Sequence, residues 1–131
     1  AAVIHRHGGT IDKYIGDSVM AFWGAPARDA RQAEHACAAA LEIEAAIKKL
    51  NARWLAENSD QLKTRIGINT GISLIGNFGS SDRFNYTAVG DSVNLASRLK
   101  ASTKFMVQKS LSANLQLPLP EKVSFSDRLI W

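Results

Sequence analysis

Two short runs rich in β-branched and aromatic residues flank the dipeptide Gly16-Asp17, within residues 8–26. Glycine next to aspartate is a recognised two-residue turn between antiparallel strands. The segment therefore predicts a strand, a tight turn and a second strand. Lys13 interrupts the apolar positions of the first strand, so we expect it at a sheet edge or in contact with a ligand.

A helical pattern follows this hairpin. Asp29 and Gln32 have the spacing of a capping box, and apolar residues recur every three or four positions from Ala33 to Trp54. The pattern predicts a helix over residues 29–58, about 40 Å long at the usual rise per residue. Its alanine-rich stripe predicts close packing on a sheet.

Strand-like alternation returns over residues 62–79, where Gly71 indicates a bulge or the close approach of another backbone. We expect a turn in "NFGSSDR", a strand in "FNYTAV", and then a helix capped by Asp91 or Ser92. Further strands are predicted in "TKFMVQK" and "KVSFSDRLIW", with a short helix in "SLSANL" between them. Hairpins that alternate with helices favour an α+β sheet with helices on one face over a doubly wound parallel sheet.

Size and composition limit the class of protein. A chain of 131 residues, 46% apolar and 21% charged, is typical of one soluble globular domain. Its net charge of +4 is compatible with a nucleotide phosphate or a nucleic acid. The basic residues form no run, however, and the aromatic residues alternate with aliphatic ones in core-like segments. Nucleic-acid binding is therefore not expected.

The sequence also argues against an internal disulfide, a cysteine-based zinc site and a membrane span. Cys37 is the only cysteine, which excludes an internal disulfide and a cysteine-based zinc site and favours a cytoplasmic domain. No segment approaches the roughly 20 apolar residues of a membrane span, so we expect no direct membrane contact. A membrane anchor elsewhere in a full-length protein stays open.

Asn94 and Arg98 stand four residues apart, on a different side of the predicted helix from Val93, Ala96 and Leu99. Such a pair is commonly part of a solvated helix face. It can also hold an anion, because an arginine forks two hydrogen bonds to phosphate oxygens and the helix dipole favours negative charge near its N-terminus. Neighbouring motifs decide between the two interpretations.

Three motifs in a fixed order, "DKYIGDSVMAFWG", "RIGINTG" and "YTAVGDSVNLASRL", closely resemble the catalytic domain of class III nucleotide cyclases. The similarity extends from about His7 to Leu99 and is greatest to bacterial members of the adenylate cyclase branch. Several motifs in one order are more specific than a single glycine-rich loop. The resemblance implies a ferredoxin-like or palm-type, antiparallel-rich sheet, and it favours the anion-binding interpretation of the helix.

The resemblance also implies roles for individual residues. Asp17 matches one of the two metal-binding aspartates of the family, which hold two Mg²⁺ or Mn²⁺ ions in a complete domain. Lys13 and Thr87 match the purine-reading positions, and this pair points to ATP. Asn94 and Arg98 match the residues that orient the ribose and stabilise charge on the α-phosphate. In the family the sites are shared between two subunits, so a homodimer is expected.

The chain departs from the family pattern in three places. The upstream strand that carries the first metal aspartate is missing, and His5 and His7 would suit Zn²⁺ better than Mg²⁺ as its replacement. The stretch after Lys100 is shorter than usual, which suggests a gap. The C-terminal segment lacks the triphosphate-binding lysine, which neither Lys109 nor Lys122 matches. Residues 1–131 therefore resemble one incomplete cyclase domain.

Two functions are compatible with these observations. The first is an adenylate cyclase domain that makes 3′,5′-cyclic AMP and pyrophosphate in intracellular signalling, by attack of the ribose 3′-oxygen on the α-phosphate. The second is a catalytically silent, dimerising or nucleotide-sensing module, which the missing aspartate would permit. We expect residues 1–131 alone to be nearly inactive but still to dimerise.

Overall fold

The computed structural model describes residues 1–57, 60–80, 83–102, 105–109 and 124–130. Helices and strands alternate along this part of the chain. The helices are α1 (Ala2–Arg6), α2 (Gln32–Ala56) and α3 (Asp91–Ser102). The strands are β1 (Thr10–Ile15), β2 (Ser18–Trp23), β3 (Ile66–Ser80), β4 (Arg83–Val89), β5 (Phe105–Lys109) and β6 (Ser124–Ile130). None of the described helices has the length and apolar character needed to cross a membrane.

The strands form one mixed sheet in the order β1-β2-β6-β3-β4, and β5 pairs with the first half of β3. The β3–β5 pair is parallel, whereas the other described pairs are antiparallel. The predicted α+β class with an antiparallel-rich sheet is confirmed. The strand nearest the end of the chain, β6, lies in the middle of the sheet, between β2 and β3.

The predicted hairpin around Gly16 and Asp17 is confirmed. Ile15 pairs with Ser18, so the turn contains only the two intervening residues. Gly16 adopts φ +60°, a left-handed conformation that costs a residue with a Cβ atom about 1–2 kcal/mol. The glycine therefore places Asp17 at the exposed tip of a tight turn.

His5 lies in the short helix α1, and His7 directly follows it. The α1 segment is held by Trp23, whose indole Nε1 donates a hydrogen bond of 2.8 Å to the His7 carbonyl oxygen. A Cβ atom at Gly9 would lie 2.5 Å from the Trp23 ring. Glycine at this position therefore allows the chain to pass directly over the indole.

Glu42 of α2 links α1 to the long helix. Its carboxylate contacts the Arg6 guanidinium, and its Oε2 lies 2.7 Å from His7 Nε2. The hydrogen bond to His7 lowers the pKa of Glu42, the Arg6 charge lowers it further, and partial desolvation opposes both effects. His7 is thus engaged with a carboxylate rather than placed as a metal ligand.

We expect His7→Ala to weaken the pH dependence of unfolding. A carboxyl group with a lowered folded-state pKa stabilises the fold above its unfolded value of 4.5, and that stabilisation is lost as the pH falls through the folded-state pKa. Between about pH 5 and pH 3, the wild type should therefore lose more thermal stability than His7→Ala. Thermal unfolding at both pH values measures the difference, with His5→Ala as a control on the exposed side of α1. Equal losses in all three proteins would mean that the Glu42 contact contributes nothing.

Two apolar clusters lie on opposite sides of β2, because neighbouring residues on a strand point to opposite faces of a sheet. The first contains α1, α2 and one face of the sheet, with Ile4, Ala21, Trp23, Ala36, Ala39, Ala40, Ile66 and Ile68. The second contains α3 and the alternate side, with Met20, Phe22, Ala25, Ile75, Ala88, Val93 and Ala96. α1 and α2 thus share one face of the sheet, and α3 covers the other. The expectation of helices on one face therefore holds for α1 and α2 but not for α3.

The start of α2 differs from the prediction. The helix begins at Gln32 rather than at Asp29, and no capping box forms. Asp29 instead accepts a hydrogen bond of 2.9 Å from the Arg31 backbone N–H, and its Oδ2 lies 2.6 Å from His35 Nδ1. The aspartate therefore organises the turn that precedes the helix, because its carboxylate has two partners there.

The β3–β4 hairpin is longer than expected. The reversal of the chain falls within "NFGSSDR", as predicted, but it is shorter than expected, since β3 continues to Ser80 and pairs with β4 through Asn77 and Phe78. Glycine, serine and asparagine in this segment are typical of turns, but the strand pairing satisfies their backbone groups. The register of β3 against β6 shifts between Thr70 and Ser73, which confirms the bulge predicted at Gly71. The short helix predicted in "SLSANL" lies outside the described residues.

Candidate active site

Lys13 and Thr87, the two expected base-reading residues, are in direct contact. Lys13 Nζ on β1 donates a hydrogen bond of 2.9 Å to Thr87 Oγ1 on β4, across 74 positions of sequence. Lys13 is exposed, whereas Thr87 is buried. β1 and β4 are the two edge strands of the sheet, so the structure brings its opposite edges together at this contact, where the ammonium group can reach a ligand.

A third side chain, that of Asp12, completes this contact. Its carboxylate is only 1% exposed, and Oδ1 lies 3.2 Å from Lys13 Nζ. Oδ2 accepts hydrogen bonds from Thr87 Oγ1 at 2.5 Å and from the Ala88 backbone N–H at 3.1 Å. Asp12, Lys13 and Thr87 thus form one connected network, which we call the edge network.

A bulge in β1 explains why two consecutive side chains reach the same partner. Ile11 pairs with Ala21 and Lys13 pairs with Met20, so Asp12 is an extra residue in β1 relative to β2. In a regular strand, Asp12 and Lys13 would point to opposite faces. A bulge redirects one side chain, as bulges often do next to functional sites. Both residues can therefore contact Thr87.

Asp12 was not singled out from the sequence as a functional residue. The carboxylate stands beside a lysine in an otherwise apolar run, which was the available signal. Strict alternation, however, places it on the opposite side from Lys13. The position of the bulge depends on the pairing of β1 with β2, and it cannot be read from the composition of β1 alone.

Asp17 lies at the tip of the β1–β2 hairpin with an exposed side chain. The Ser18 hydroxyl is its neighbour, at 3.4 Å from Oδ1. Among the residues that the structure describes, no group of three histidine, cysteine, aspartate or glutamate side chains could hold a metal ion. Asp17 offers one hard oxygen ligand of the type that Mg²⁺ and Mn²⁺ prefer.

The start of α3 is fixed by β3. The Asn69 side chain, which is buried, donates a hydrogen bond of 3.0 Å from Nδ2 to the Ser92 carbonyl oxygen. Ser92 Oγ in turn donates a hydrogen bond of 3.0 Å to the Ile72 carbonyl oxygen. These bonds connect the "RIGINTG" motif, and the residue that follows it, to the helix after β4.

Neither of the two residues predicted as N-cap of α3 precedes the helix. Asp91 is its first residue, and the Gly90 carbonyl oxygen accepts the first hydrogen bond, from the Val93 N–H at 3.1 Å. The prediction was therefore wrong by one or two positions, because the Ser92 hydroxyl bonds to β3 instead of capping the helix.

Asn94 and Arg98 lie on the exposed side of α3. The opposite stripe of the helix, Val93, Ala96 and Leu99, is buried. The predicted separation of the polar pair from the apolar stripe is confirmed. Of the five predicted site residues, Lys13 and Thr87 are joined directly, while Asp17, Asn94 and Arg98 occupy exposed positions on two other elements.

Several large apolar side chains are exposed on β1, β3 and β4. They are Tyr14, Ile15, Ile72, Leu74, Phe84 and Val89, with between 38% and 64% of each residue exposed. The first two adjoin the β1–β2 turn, and the last two belong to β4. Clustered exposed apolar residues are typical of protein–protein contact surfaces.

Comparison with known proteins gives consistent matches. The family model "Adenylate and Guanylate cyclase catalytic domain" matches residues 2–128. Adenylate cyclase 1 of Rhizobium meliloti is 45% identical over 102 residues, which are 78% of this chain and 15% of that protein. The adenylate cyclase of Anabaena cylindrica is 34% identical over 97% of this chain and 25% of its own length. This chain thus spans a quarter or less of these two relatives.

Solved structures agree with the sequence relatives. The adenylyl cyclase CyaB from P. aeruginosa has a TM-score of 0.75 and 36% identity, over 81% of this chain and 57% of that one. The guanylyl cyclase Cya2 has a TM-score of 0.73 and 30% identity, over 98% of this chain and 71% of that one. Structural neighbours thus include cyclases of both nucleotide classes.

Proposed function

Because the chain belongs to the adenylate and guanylate cyclase catalytic domain family, we propose that it provides the site of an adenylate cyclase. The reaction is the conversion of ATP to 3′,5′-cyclic AMP and pyrophosphate, within a longer signalling protein. The ribose 3′-oxygen attacks the α-phosphorus, the bond from the α-phosphorus to the bridging oxygen breaks, and pyrophosphate leaves. The observation that carries the choice of ATP is the hydrogen bond between Lys13 and Thr87.

The edge network supplies the base-reading chemistry. The Lys13 ammonium has three donors and no acceptor, so it can donate to a ring nitrogen of adenine. Thr87 supplies an oxygen that can accept a hydrogen bond from the exocyclic amino group of adenine. Relatives of both nucleotide classes have this fold, so the choice of base has to come from side chains such as these.

Asn94 and Arg98 form the proposed ribose and phosphate site. Both are exposed on one side of α3, within its first eight residues. The guanidinium of Arg98 can form two parallel hydrogen bonds to phosphate oxygens and so stabilise the charge that develops there. Asn94 can orient the ribose hydroxyl. Neither residue forms a covalent bond to the substrate, so positioning and charge complementarity supply the rate.

Asp17 is the proposed metal ligand of the chain. The ions would be Mg²⁺ or Mn²⁺, which take oxygen ligands and neutralise phosphate charge when bound. One carboxylate does not form a complete site, and no cluster of three potential ligand side chains occurs among the described residues. The role of this chain is therefore limited to presenting the Asp17 carboxylate at the tip of a rigid two-residue turn.

A homodimer with shared sites would bring the separate elements together. Asp17 on the hairpin tip of one copy would face Asn94 and Arg98 on α3 of the other copy. The exposed apolar residues near the turn and on β4 support such an association, because Tyr14 and Phe84 are 63% and 64% exposed. Burying them would stabilise a dimer by about 25 cal/mol for each Å² removed from water, before the entropic cost of association.

The proposed function is tested with the complete protein that contains this chain. Purified protein is incubated with ATP and Mn²⁺, and products are separated by chromatography. We expect cyclic AMP and pyrophosphate in equal amounts. Binding of ATP without product would instead support the silent, nucleotide-sensing module.

We expect the double variant Lys13→Glu/Thr87→Cys to shift preference from ATP toward GTP. The exchange replaces a hydrogen-bond donor by an acceptor at position 13 and a hydroxyl by a thiol at position 87. It therefore reverses the donor and acceptor pattern that faces the purine edge. The ratio of kcat/KM for ATP to that for GTP should fall by at least about tenfold. Lys48→Glu, an exposed lysine on α2, controls for the change of charge. An unchanged ratio would remove both residues from the base site.

A further inference from the structure

Asp12 has an unusual position for a carboxylate. Its side chain is buried, it lies in a strand bulge, and its oxygens have three partners in the edge network. A buried charge is costly unless it is paired and hydrogen-bonded. The fold therefore maintains Asp12 at this place through the Lys13 charge, the Thr87 hydroxyl and the Ala88 N–H.

We infer that Asp12 is a specificity-determining positioning residue, which fixes the Thr87 hydroxyl as an acceptor toward the purine. The inference rests on the proposed function, because it takes the Lys13–Thr87 pair as the base-reading site. Asp12 itself need not touch the substrate. It acts through the direction in which Thr87 donates its single proton.

The hydrogen-bond count leads to this assignment. Thr87 has one donor and two acceptor lone pairs, and Lys13 has only donors. The Thr87 proton therefore goes to Asp12, at 2.5 Å, and Lys13 donates to Thr87, at 2.9 Å. The second bond occupies one lone pair. The remaining lone pair of Thr87 can only accept, so it suits a ligand that donates.

This polarity separates two kinds of purine. A 6-amino purine such as adenine presents N–H donors at position 6, which an acceptor-only hydroxyl can bind. A 6-oxo purine presents a carbonyl oxygen at the same place, and two acceptors would then face each other. A site that leaves a polar group unpaired discriminates strongly against that ligand. Asp12 thus converts a hydroxyl group that could serve either base into one that favours the 6-amino base.

The test compares ATP with inosine triphosphate, which carries an oxo group at position 6. Asp12→Ala removes the acceptor, which frees the Thr87 hydroxyl proton to point at the ligand. Asp12→Val also removes the acceptor, suits a strand position and has the same expected result. In both variants the preference for ATP, measured as a ratio of kcat/KM, should fall by about tenfold or more. Displacement of a fluorescent nucleotide by each triphosphate should show the same shift without turnover.

Asp60→Ala, at an exposed position in the segment before β3, serves as the matched control and should leave the ratio unchanged. Asp12 belongs to neither apolar cluster, so we expect both variants to fold, as thermal unfolding will check. If Asp12 had only a structural role, its replacement would lower kcat/KM for both nucleotides by the same factor. An unchanged ratio in the folded variants would overturn the inference, while the proposed function would stand.

A double-mutant cycle separates action through Thr87 from a direct effect. Thr87→Val should lower the ATP preference because it removes the hydroxyl. Adding Asp12→Ala to Thr87→Val should then change the ratio by less than about twofold, because the two residues act as one unit. Additive losses would overturn the assignment of Asp12 as a positioning residue. A wild-type protein that neither binds nor converts ATP would instead overturn the proposed function itself, and the inference with it.

Discussion

Asp17→Ala is expected to abolish Mn²⁺-dependent formation of cyclic AMP by the complete protein. The carboxylate is the proposed metal ligand of this chain, and a single carboxylate of a divalent cation site is not replaced by its neighbour Ser18, whose hydroxyl is a weaker ligand. We expect a loss of at least about a hundredfold, close to 3 kcal/mol of transition-state stabilisation. Steady-state rates of cyclic AMP formation at saturating Mn²⁺ measure it.

The fold should tolerate this change. Asp17 is exposed at the tip of the turn, and Gly16 rather than Asp17 has the left-handed conformation. Thermal unfolding of Asp17→Ala should therefore match the wild type, and Ser18→Ala should keep most of the activity. A tenfold loss of turnover corresponds to little over one kcal/mol of added barrier. If Asp17→Ala retained more than about a tenth of wild-type turnover, Asp17 would not be a metal ligand.

Arg98→Ala is expected to have the second large effect. The guanidinium is proposed to meet the charge that develops on the α-phosphate, and removal of one such donor typically lowers kcat about 10²- to 10³-fold. Because the interaction strengthens in the transition state, KM should change much less than kcat. Arg98→Lys should restore little activity, since a lysine lacks the planar fork.

Arg53→Ala is the matched control, because Arg53 is exposed in the last turn of α2 and has no proposed role. Its kcat and KM should equal those of the wild type. A rise in KM with unchanged kcat in Arg98→Ala would assign the residue to ground-state binding. A loss of less than about tenfold in kcat/KM would remove it from the catalytic set.

The elements that were predictable from the sequence are those with strong local signals. The Gly16-Asp17 turn has the residue type that its left-handed backbone requires. The stripe of α2 follows the helical period, and Ala36 and Ala40 are fully buried as expected, although Leu41 is 57% exposed. Gly71 marked the irregularity in β3. In each case the determining interactions lie within a few residues of the chain.

Other features depend on partners that are distant in sequence. Ser92 has the composition of an N-cap but bonds to Ile72 on another element, and Asp29 bonds to His35 before the helix starts. The strand β3 continues through turn-like residues because β4 pairs with it. Propensity alone cannot anticipate such tertiary competition.

The candidate site shows the same division. The motifs identified Lys13 and Thr87, and the structure joins them by a hydrogen bond. Asp12 was missed because a bulge, set by the pairing of β1 with β2, turns its side chain toward Thr87. The roles of Asp17, Asn94 and Arg98 stay predictions, because each depends on a substrate and on a second copy of the chain.

The most direct test of the central claim, an adenylate cyclase site shared between two copies, is to mix the two inactive variants. Asp17→Ala and Arg98→Ala would be combined in equal amounts under conditions that let subunits exchange, and cyclic AMP formation from ATP would be followed. Half of the dimers should then be mixed, and each mixed dimer should contain one intact site and one doubly defective site. We therefore predict recovery of about a quarter of wild-type activity. No recovery above either variant alone, with subunit exchange verified, would contradict the shared site.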